Sequence, residues 1–270
     1  MENIKPIEEL EFSDDFMFNQ VMQNEKICIG VLERLLKIKI DHIERVELKK
    51  KIKPYYQSKG IRLDVYVKDS NRVFDLEMQS QNQDNLPRRL RYYQSMVDAN
   101  ALIKGADYTS LKESYILFIC KHDPVGKNLP VYTYLETCQE DKDILLKDGS
   151  HKFFFNADAA ETEKDVEIRT FLNYIKTGTA NDFLTKEINK IVETVKQNEA
   201  VKELYMYESL PLRDAKMQGI KQGIAEGALE KAIETATNLL KKKIDINTIS
   251  ECVGLPLSQI QELSKEITEK

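Results

Sequence analysis

Residues 61–80, IRLDVYVKDSNRVFDLEMQS, alternate apolar and polar on both sides of Asp69-Ser70-Asn71-Arg72. A period of two with a short polar break is the pattern of a β-hairpin. If Ser70 and Asn71 form the turn, Lys68 faces Val73, Tyr66 faces Asp75 and Asp64 faces Glu77. One side of the ribbon then carries Ile61, Leu63, Val65 and Val67 beside Phe74, Leu76, Met78 and Ser80. It is almost wholly apolar and is expected to face the core. The other side carries Arg62, Asp64, Tyr66 and Lys68 beside Val73, Asp75, Glu77 and Gln79, with Arg62 opposite Gln79. Directly opposed Cβ atoms lie about 4.5–5.5 Å apart. Two carboxylates at that distance either point into solvent or share a cation. A pair of carboxylates completed by water is a setting Mg²⁺ accepts. A slip of one residue would break this facial pattern, whereas a slip of two would keep it.

The rest of the chain frames the hairpin. SDDFMFNQVMQNEKICIGVLERLLKI places Phe18, Val21, Met22, Val31, Leu32, Leu35 and Leu36 at helical spacing. This predicts two helices broken near Asn24, with Ser13 as the first N-cap. KKKIKPYYQSKG reads as a basic connection. LPRRLRYYQSMVDANALIKG predicts an amphipathic helix ending at Gly105. SYILFIC is a buried-strand pattern, and PVYTYLETC with ILLKDGSHKFFFN adds two or three strands around an Asp148-Gly149 turn. Strands with intervening helices indicate an α/β domain with a mixed sheet. From about residue 160 the pattern is helical, closing with two short helices around Gly254 and Pro256. The expected organisation is therefore a domain over residues 1–160 and a helical tail over 161–270.

Composition narrows the function classes. Basic and acidic residues nearly balance, 40 against 45, so nucleic-acid binding would need a local patch. Cys28, Cys120, Cys138 and Cys252 form no CxxC pair, and His42, His122 and His151 have no partner at ligand spacing. A structural zinc site is not indicated. Scattered cysteines fit a reducing compartment. No apolar stretch reaches the ~18 residues of a membrane span, and the start of the chain lacks a secretory pattern. A cytoplasmic protein is expected.

An Asp, a hairpin turn and then Glu-x-Lys make up the PD-(D/E)xK nuclease motif. Here the run is Asp64…Glu77-Met78-Gln79, with glutamine in the lysine position. More specifically, the chain resembles the recombination-promoting nuclease (Rpn) and PD-(D/E)xK transposase-like family. The similar segments are DDFMFNQVMQNE, KGIRLDVYV, FDLEMQ, LPRRLRYYQSMVDANALIKGADY and SYILFICKHDPVGK, most of residues 12–155. The resemblance implies a restriction-endonuclease-like core, with a mixed central sheet flanked by helices, followed by an all-helical C-terminal region.

It also implies an activity: metal-dependent hydrolysis of DNA phosphodiester bonds, in recombination, mobile elements or phage defence. Asp64 and Glu77 would ligate Mg²⁺ or Mn²⁺, and Gln79 would orient the attacking water. Glutamine cannot supply lysine's charge, so Arg62 across the strand is expected to supply it, with a second metal as the competing account. The class usually adds an acid from the first helix. Asp14, Asp15 and Glu33 are candidates, Asp15 being favoured by the DDFMF segment, and Asp75 is a spare ligand. A DNA path is expected along Lys49, Lys50, Lys51, Lys53 and Lys59, and along Arg88, Arg89 and Tyr92.

In the tail, Gly219, Gly223 and Gly227 recur every four residues behind Ala215. Each mid-helix glycine costs about 1 kcal/mol relative to alanine. Either a second subunit packs there, making a homodimer, or the tail is frayed. Two competing functions remain in view: a non-catalytic DNA-binding or assembly protein that keeps the fold, and an interaction module in which the tail gates the nuclease face.

Overall fold

The computed structural model describes residues 5–40, 42–53 and 59–268. Helices α1 (Asp15–Met22) and α2 (Glu25–Leu36) are separated where the Asn24 side chain accepts from the N–H groups of Lys26 and Ile27. The Ser13 hydroxyl bonds Glu11 instead of capping α1, and Asp14 occupies the N-cap position. Three strands follow, β1 (Arg45–Ile52), β2 (Ile61–Lys68) and β3 (Arg72–Gln79), then helix α3 (Leu86–Ala101). Strands β4 (Glu113–Cys120), β5 (Val131–Tyr134) and β6 (Ser150–Asn156) complete one six-stranded sheet. Its order is β1-β2-β3-β4-β6-β5. The β3–β4 and β4–β6 pairs are parallel and the others antiparallel, so the sheet is mixed.

The hairpin pairs in the expected register, Lys68 with Val73, Tyr66 with Asp75 and Val65 with Leu76. The Asp69 carboxylate closes the turn by accepting from the N–H groups of Asn71 and Arg72. Its two faces differ from expectation. Val65, Val67, Phe74, Leu76 and Met78 pack in one core, with Phe18, Val31 and the helices that follow the sheet. The second face is also buried: Tyr66, Val73, Ile116 and Phe118 pack with Leu86, Leu90 and Val97 of α3. Helix α3, the crossover between parallel β3 and β4, therefore roofs the acidic side. Ile61 and Leu63 join this second core, not the first. The change of side coincides with a break in β1: Lys49, which would pair with Asp64, has a left-handed φ of 48°. Pairing is kept on either side, at Leu48–Val65 and Lys50–Leu63.

The lysine run is not a connection. Lys49, Lys50 and Lys51 belong to β1; residues 54–58 of the expected connection lie outside the described residues. Strand alternation was hidden because Lys50 stands at an inward position. Its ammonium sits 3.7 Å from the Tyr66 ring centre and 3.0 Å from Glu47, so the chain buries its stem and keeps its charge paired. Helix α3 also stops at Ala101, short of Gly105, where Leu102 turns extended.

Helices α4 (Val166–Thr177), α5 (Phe183–Gln197), α6 (Glu199–Lys241), α7 (Ile246–Val253) and α8 (Leu257–Thr268) make up the rest. Two compact units emerge, Met1–Tyr205 and Met206–Lys270. Helices α4 and α5 lie in the first, where Phe171, Leu172, Ile175 and Ile188 complete the core beneath the sheet. The expected division near residue 160 therefore cuts through a packed layer. The second unit has its own small core of Ala236, Ile249, Leu255 and Ile260. Pro211 removes a backbone donor from α6 just beyond the end of the first unit.

Candidate active site

The recorded ladder between β2 and β3 ends at Val65–Leu76. Beyond it β2 continues against β1 as far as Ile61, and β3 against β4 as far as Gln79. The next cross-strand pair is Asp64 and Glu77. There the side chains replace the ladder: the Asp64 N–H donates to Oε1 of Glu77 at 2.8 Å, and the Met78 N–H to Oδ2 of Asp64 at 3.3 Å. Buried main-chain donors need partners, and here carboxylates provide them. Asp64 and Glu77 are 7% and 0% exposed.

Arg89 reaches this pair from α3. Its Nη2 donates to Oε2 of Glu77 at 2.5 Å and its Nη1 to Oε1 of Gln79 at 2.8 Å. The guanidinium carbon stands 5.0 Å from the Phe118 ring centre and 5.1 Å from that of Tyr93. The Gln79 Nε2 donates to the Gln81 carbonyl at 2.6 Å, so the amide is held at both ends. Arg62 stands on the rim of the same cleft: it pairs with Lys51 of β1, its side chain is 52% exposed, it lies 3.9 Å from Asp15, and its charge pulls on Asp64 less than that of Arg89 does.

Burial dominates the electrostatics. It pushes the Asp64 carboxyl up to about 6, and the nearby Asp15 charge pushes the same way. Burial and then the Asp64 charge push Glu77 up to about 8, against the pull of Arg89. Asp75 is fully buried beside them, and no N–H or O–H donor among the described residues reaches its oxygens. Burial, then the charges of Glu77 and Asp64, push its carboxyl well above the ordinary carboxylate range.

The three N-terminal candidates separate cleanly in space. Asp14 pairs with Lys5 and accepts from the Glu11 N–H. Glu33 accepts from the Ile40 N–H. Asp15 alone of the three lines the cleft above Asp64, its carboxylate also touched by Asn19. That cleft encloses about 620 Å³ and is lined by Lys59, Arg62, Asp64, Gln79, Arg88, Arg89, Tyr92 and Tyr93 among others. The Tyr92 hydroxyl donates to the Lys59 carbonyl at 2.5 Å, tying α3 to the segment leading into β2. Lys51, Lys53, Lys59 and Arg88 are exposed, Lys49 is half-buried with its ammonium over Phe16, and Lys50 is turned inward as described.

A divalent metal fits the donor set. The site offers hard carboxylate oxygens with no thiol or imidazole, the chemistry of Mg²⁺ or Mn²⁺. Two ionised carboxylates buried together repel each other, and the single charge of Arg89 offsets one of them, so a further cation is favourable there. Among the described residues no three acid, histidine or cysteine side chains converge at metal-ligand spacing.

Sequence reading placed Arg89 on the DNA path and missed its place among the acids. A signal was available. Leu86, Leu90, Tyr93 and Val97 form the apolar stripe of α3, and Arg89 lies within that stripe. An arginine on a buried face needs an acidic partner, and the acids on the adjoining hairpin were its only obvious candidates.

Residues 13–218 match a family described as PD-(D/E)XK nuclease family transposase. No curated protein matches the chain, and no solved structure does. Among the described residues no helix is long and apolar enough to cross a membrane.

Proposed function

Since the chain belongs to the PD-(D/E)XK nuclease family transposases, we propose that it is a Mg²⁺- or Mn²⁺-dependent endonuclease that hydrolyses DNA phosphodiester bonds. The observation that carries this reading is the buried Asp64–Glu77 pair where β2 and β3 part, beneath a cleft edged by Lys59, Arg88 and Arg89. Asp64 and Glu77 would hold the metal. When bound, the ion supplies a polarised phosphate and a water of lowered pKa.

The remaining roles belong to the chain itself. Lys59 and Arg88 on the rim meet the phosphate backbone, with Lys51 and Lys53 extending the path along β1. Asp15 faces Asp64 across the cleft, positioned as the third acid or as an acceptor for a water proton. Gln79 keeps one N–H and one lone pair after its two bonds, enough to orient a water. Tyr92 lines the cleft wall with its ring held by the hydroxyl bond to Lys59, in reach of a stacking base. Asp75 supports Glu77 from below.

We place the reaction in the cytoplasm, acting on mobile-element or phage DNA or in recombination. Homodimerisation through α6 is part of this reading. Met217, Ile220, Ile224 and Leu229 are exposed on it, and a Cβ at Gly219, Gly223 or Gly227 would meet nothing within 4 Å.

Cleavage of supercoiled plasmid with Mg²⁺ or Mn²⁺, against an EDTA control and Asp64→Asn, tests the function. Metal-dependent nicking lost in Asp64→Asn is the expected result. DNA binding without cleavage under either ion would instead support the non-catalytic reading, which draws on the absence of lysine at position 79.

A further inference from the structure

The geometry assigns to Arg89 of α3 the cationic role that the nuclease class gives to a lysine on the strand, with Gln79 serving as its holder. This rests on the nuclease reading above and deepens it. Three features of the contact converge. The guanidinium bridges Glu77 and Gln79, the first and last residues of the Glu-Met-Gln run, at 2.5 and 2.8 Å. It is flanked by the Phe118 and Tyr93 rings, which fix its plane. The side chain that stands in the lysine position is an amide whose oxygen accepts from Arg89 and whose nitrogen is tied to the Gln81 carbonyl.

Glutamine at 79 is then no defect. A lysine there would set a second cation about 3 Å from the guanidinium, where like charges repel. An acceptor is what the position requires. The guanidinium has five N–H donors, and two are used by Glu77 and Gln79. Its Nε–H is buried and has no hydrogen-bond partner among the described residues. Arg89 lines the cleft, so what remains for a phosphate oxygen brought to the acids is the second N–H of its Nη nitrogens. Arg62, exposed on the rim and nearest to Asp15, has no comparable hold on the acid pair.

The position also sets the sign of two measurable effects. The cation competes electrostatically with a metal at Glu77 while stabilising charge on the phosphate. Removing it should tighten the binding of metal to the ionised acids and slow cleavage, a combination that general loss of structure cannot produce, since unfolding lowers both.

The test uses Arg89→Met, Gln79→Lys and the double variant, with Mn²⁺ alone titrated by calorimetry and plasmid nicking measured in parallel. Once the protons released on binding are accounted for, Arg89→Met is expected to bind Mn²⁺ several-fold more tightly, and it should nick roughly 10²-fold more slowly, the scale of one lost electrostatic donor. Gln79→Lys alone should slow nicking. Added to Arg89→Met it should restore nicking at least tenfold, because a single cation returns to the same place. Nicking by Arg89→Met within twofold of wild type, or no gain in the double variant, overturns the assignment. Weaker Mn²⁺ binding by Arg89→Met after that correction for released protons also overturns it. If the wild-type protein nicks no DNA with either ion, the nuclease reading itself falls, and the Mn²⁺ titration alone still decides whether Arg89 balances the charge at Glu77.

Discussion

The main-chain N–H of Asp64 donates to Oε1 of Glu77 at 2.8 Å, at the point where the hairpin ladder has ended. A side chain on one strand thus completes the hydrogen bonding of the other, so the two acids are fixed relative to each other by backbone. That rigidity explains how a site can sit at the open end of a hairpin without being loose.

The two acids should behave differently when neutralised. Asp64→Asn is expected to abolish metal-dependent nicking while leaving the melting temperature in EDTA unchanged or higher, because a buried charge leaves and only the long Met78 bond weakens. Glu77→Gln is expected to abolish nicking and also to cost about 1–3 kcal/mol, since its amide nitrogen must face either the Arg89 donor or the Asp64 N–H. Full nicking by either variant in Mg²⁺ or Mn²⁺ would remove that residue from the site. Melting curves in EDTA check the second part.

Salt dependence should separate the lysines. Lys51→Ala, Lys59→Ala and Arg88→Ala are each expected to lower the log–log salt slope of DNA binding by up to about 0.9, one released counterion per lost phosphate contact. Lys50→Ala should leave the slope unchanged, because its ammonium is spent on Glu47 and the Tyr66 ring. An equal effect of Lys50 and Lys51 would show that the DNA path does not follow this face.

The hairpin register was legible as far as the turn and the period agreed: a two-residue turn at Ser70 and Asn71 pairs Val65 with Leu76, as observed, although a slip of two would have kept the same faces. What covered the other face was not legible. Polar residues at alternate positions usually mean solvent, and only α3 folding back reveals that Asp64, Asp75 and Glu77 are roofed. β1 was missed for a related reason, since Lys50 in an inward position broke an alternation that Val46, Leu48 and Ile52 otherwise keep. Arg62 was expected beside Gln79 by extending an ideal ladder. The real ladder stops at Val65–Leu76, so strand geometry no longer relates those two residues. The first-helix acid was narrowed by contacts that sequence cannot give, because Asp14 and Glu33 are occupied with neighbouring backbone.

Helix α6 gives a prediction about assembly. Ile220→Asp and Ile224→Asp are expected to shift the protein from dimer to monomer in sedimentation velocity without changing nicking per active site. Gly223→Ala should raise the thermal stability of the monomer by up to about 1 kcal/mol, the helix-propensity difference, since nothing lies within 4 Å of its added Cβ. A wild-type chain that sediments as a monomer at every concentration would sink the dimer.

The acids also fix the direction of pH dependence in the metal-free protein. Glu77 titrates near 8 when folded, against an ordinary value of 4.5, and Asp64 near 6 against 3.8. A raised carboxyl pKa means that the folded state holds protons the unfolded chain has released. Stability therefore falls as pH rises, beginning near the ordinary values around pH 4 and levelling off above about 8. In EDTA the melting temperature should drop between pH 5 and pH 8, and Asp64→Asn should flatten that drop, because one of the two interacting charges is gone. Mg²⁺ or Mn²⁺ should reverse the trend, since the metal needs ionised carboxylates and its binding expels their protons. Calorimetry at pH 6.5 in buffers of different ionisation enthalpy reads that release directly. A melting temperature in EDTA that rises from pH 5 to pH 8, together with no proton release on metal binding, would show that neither acid carries its proton in the folded metal-free state.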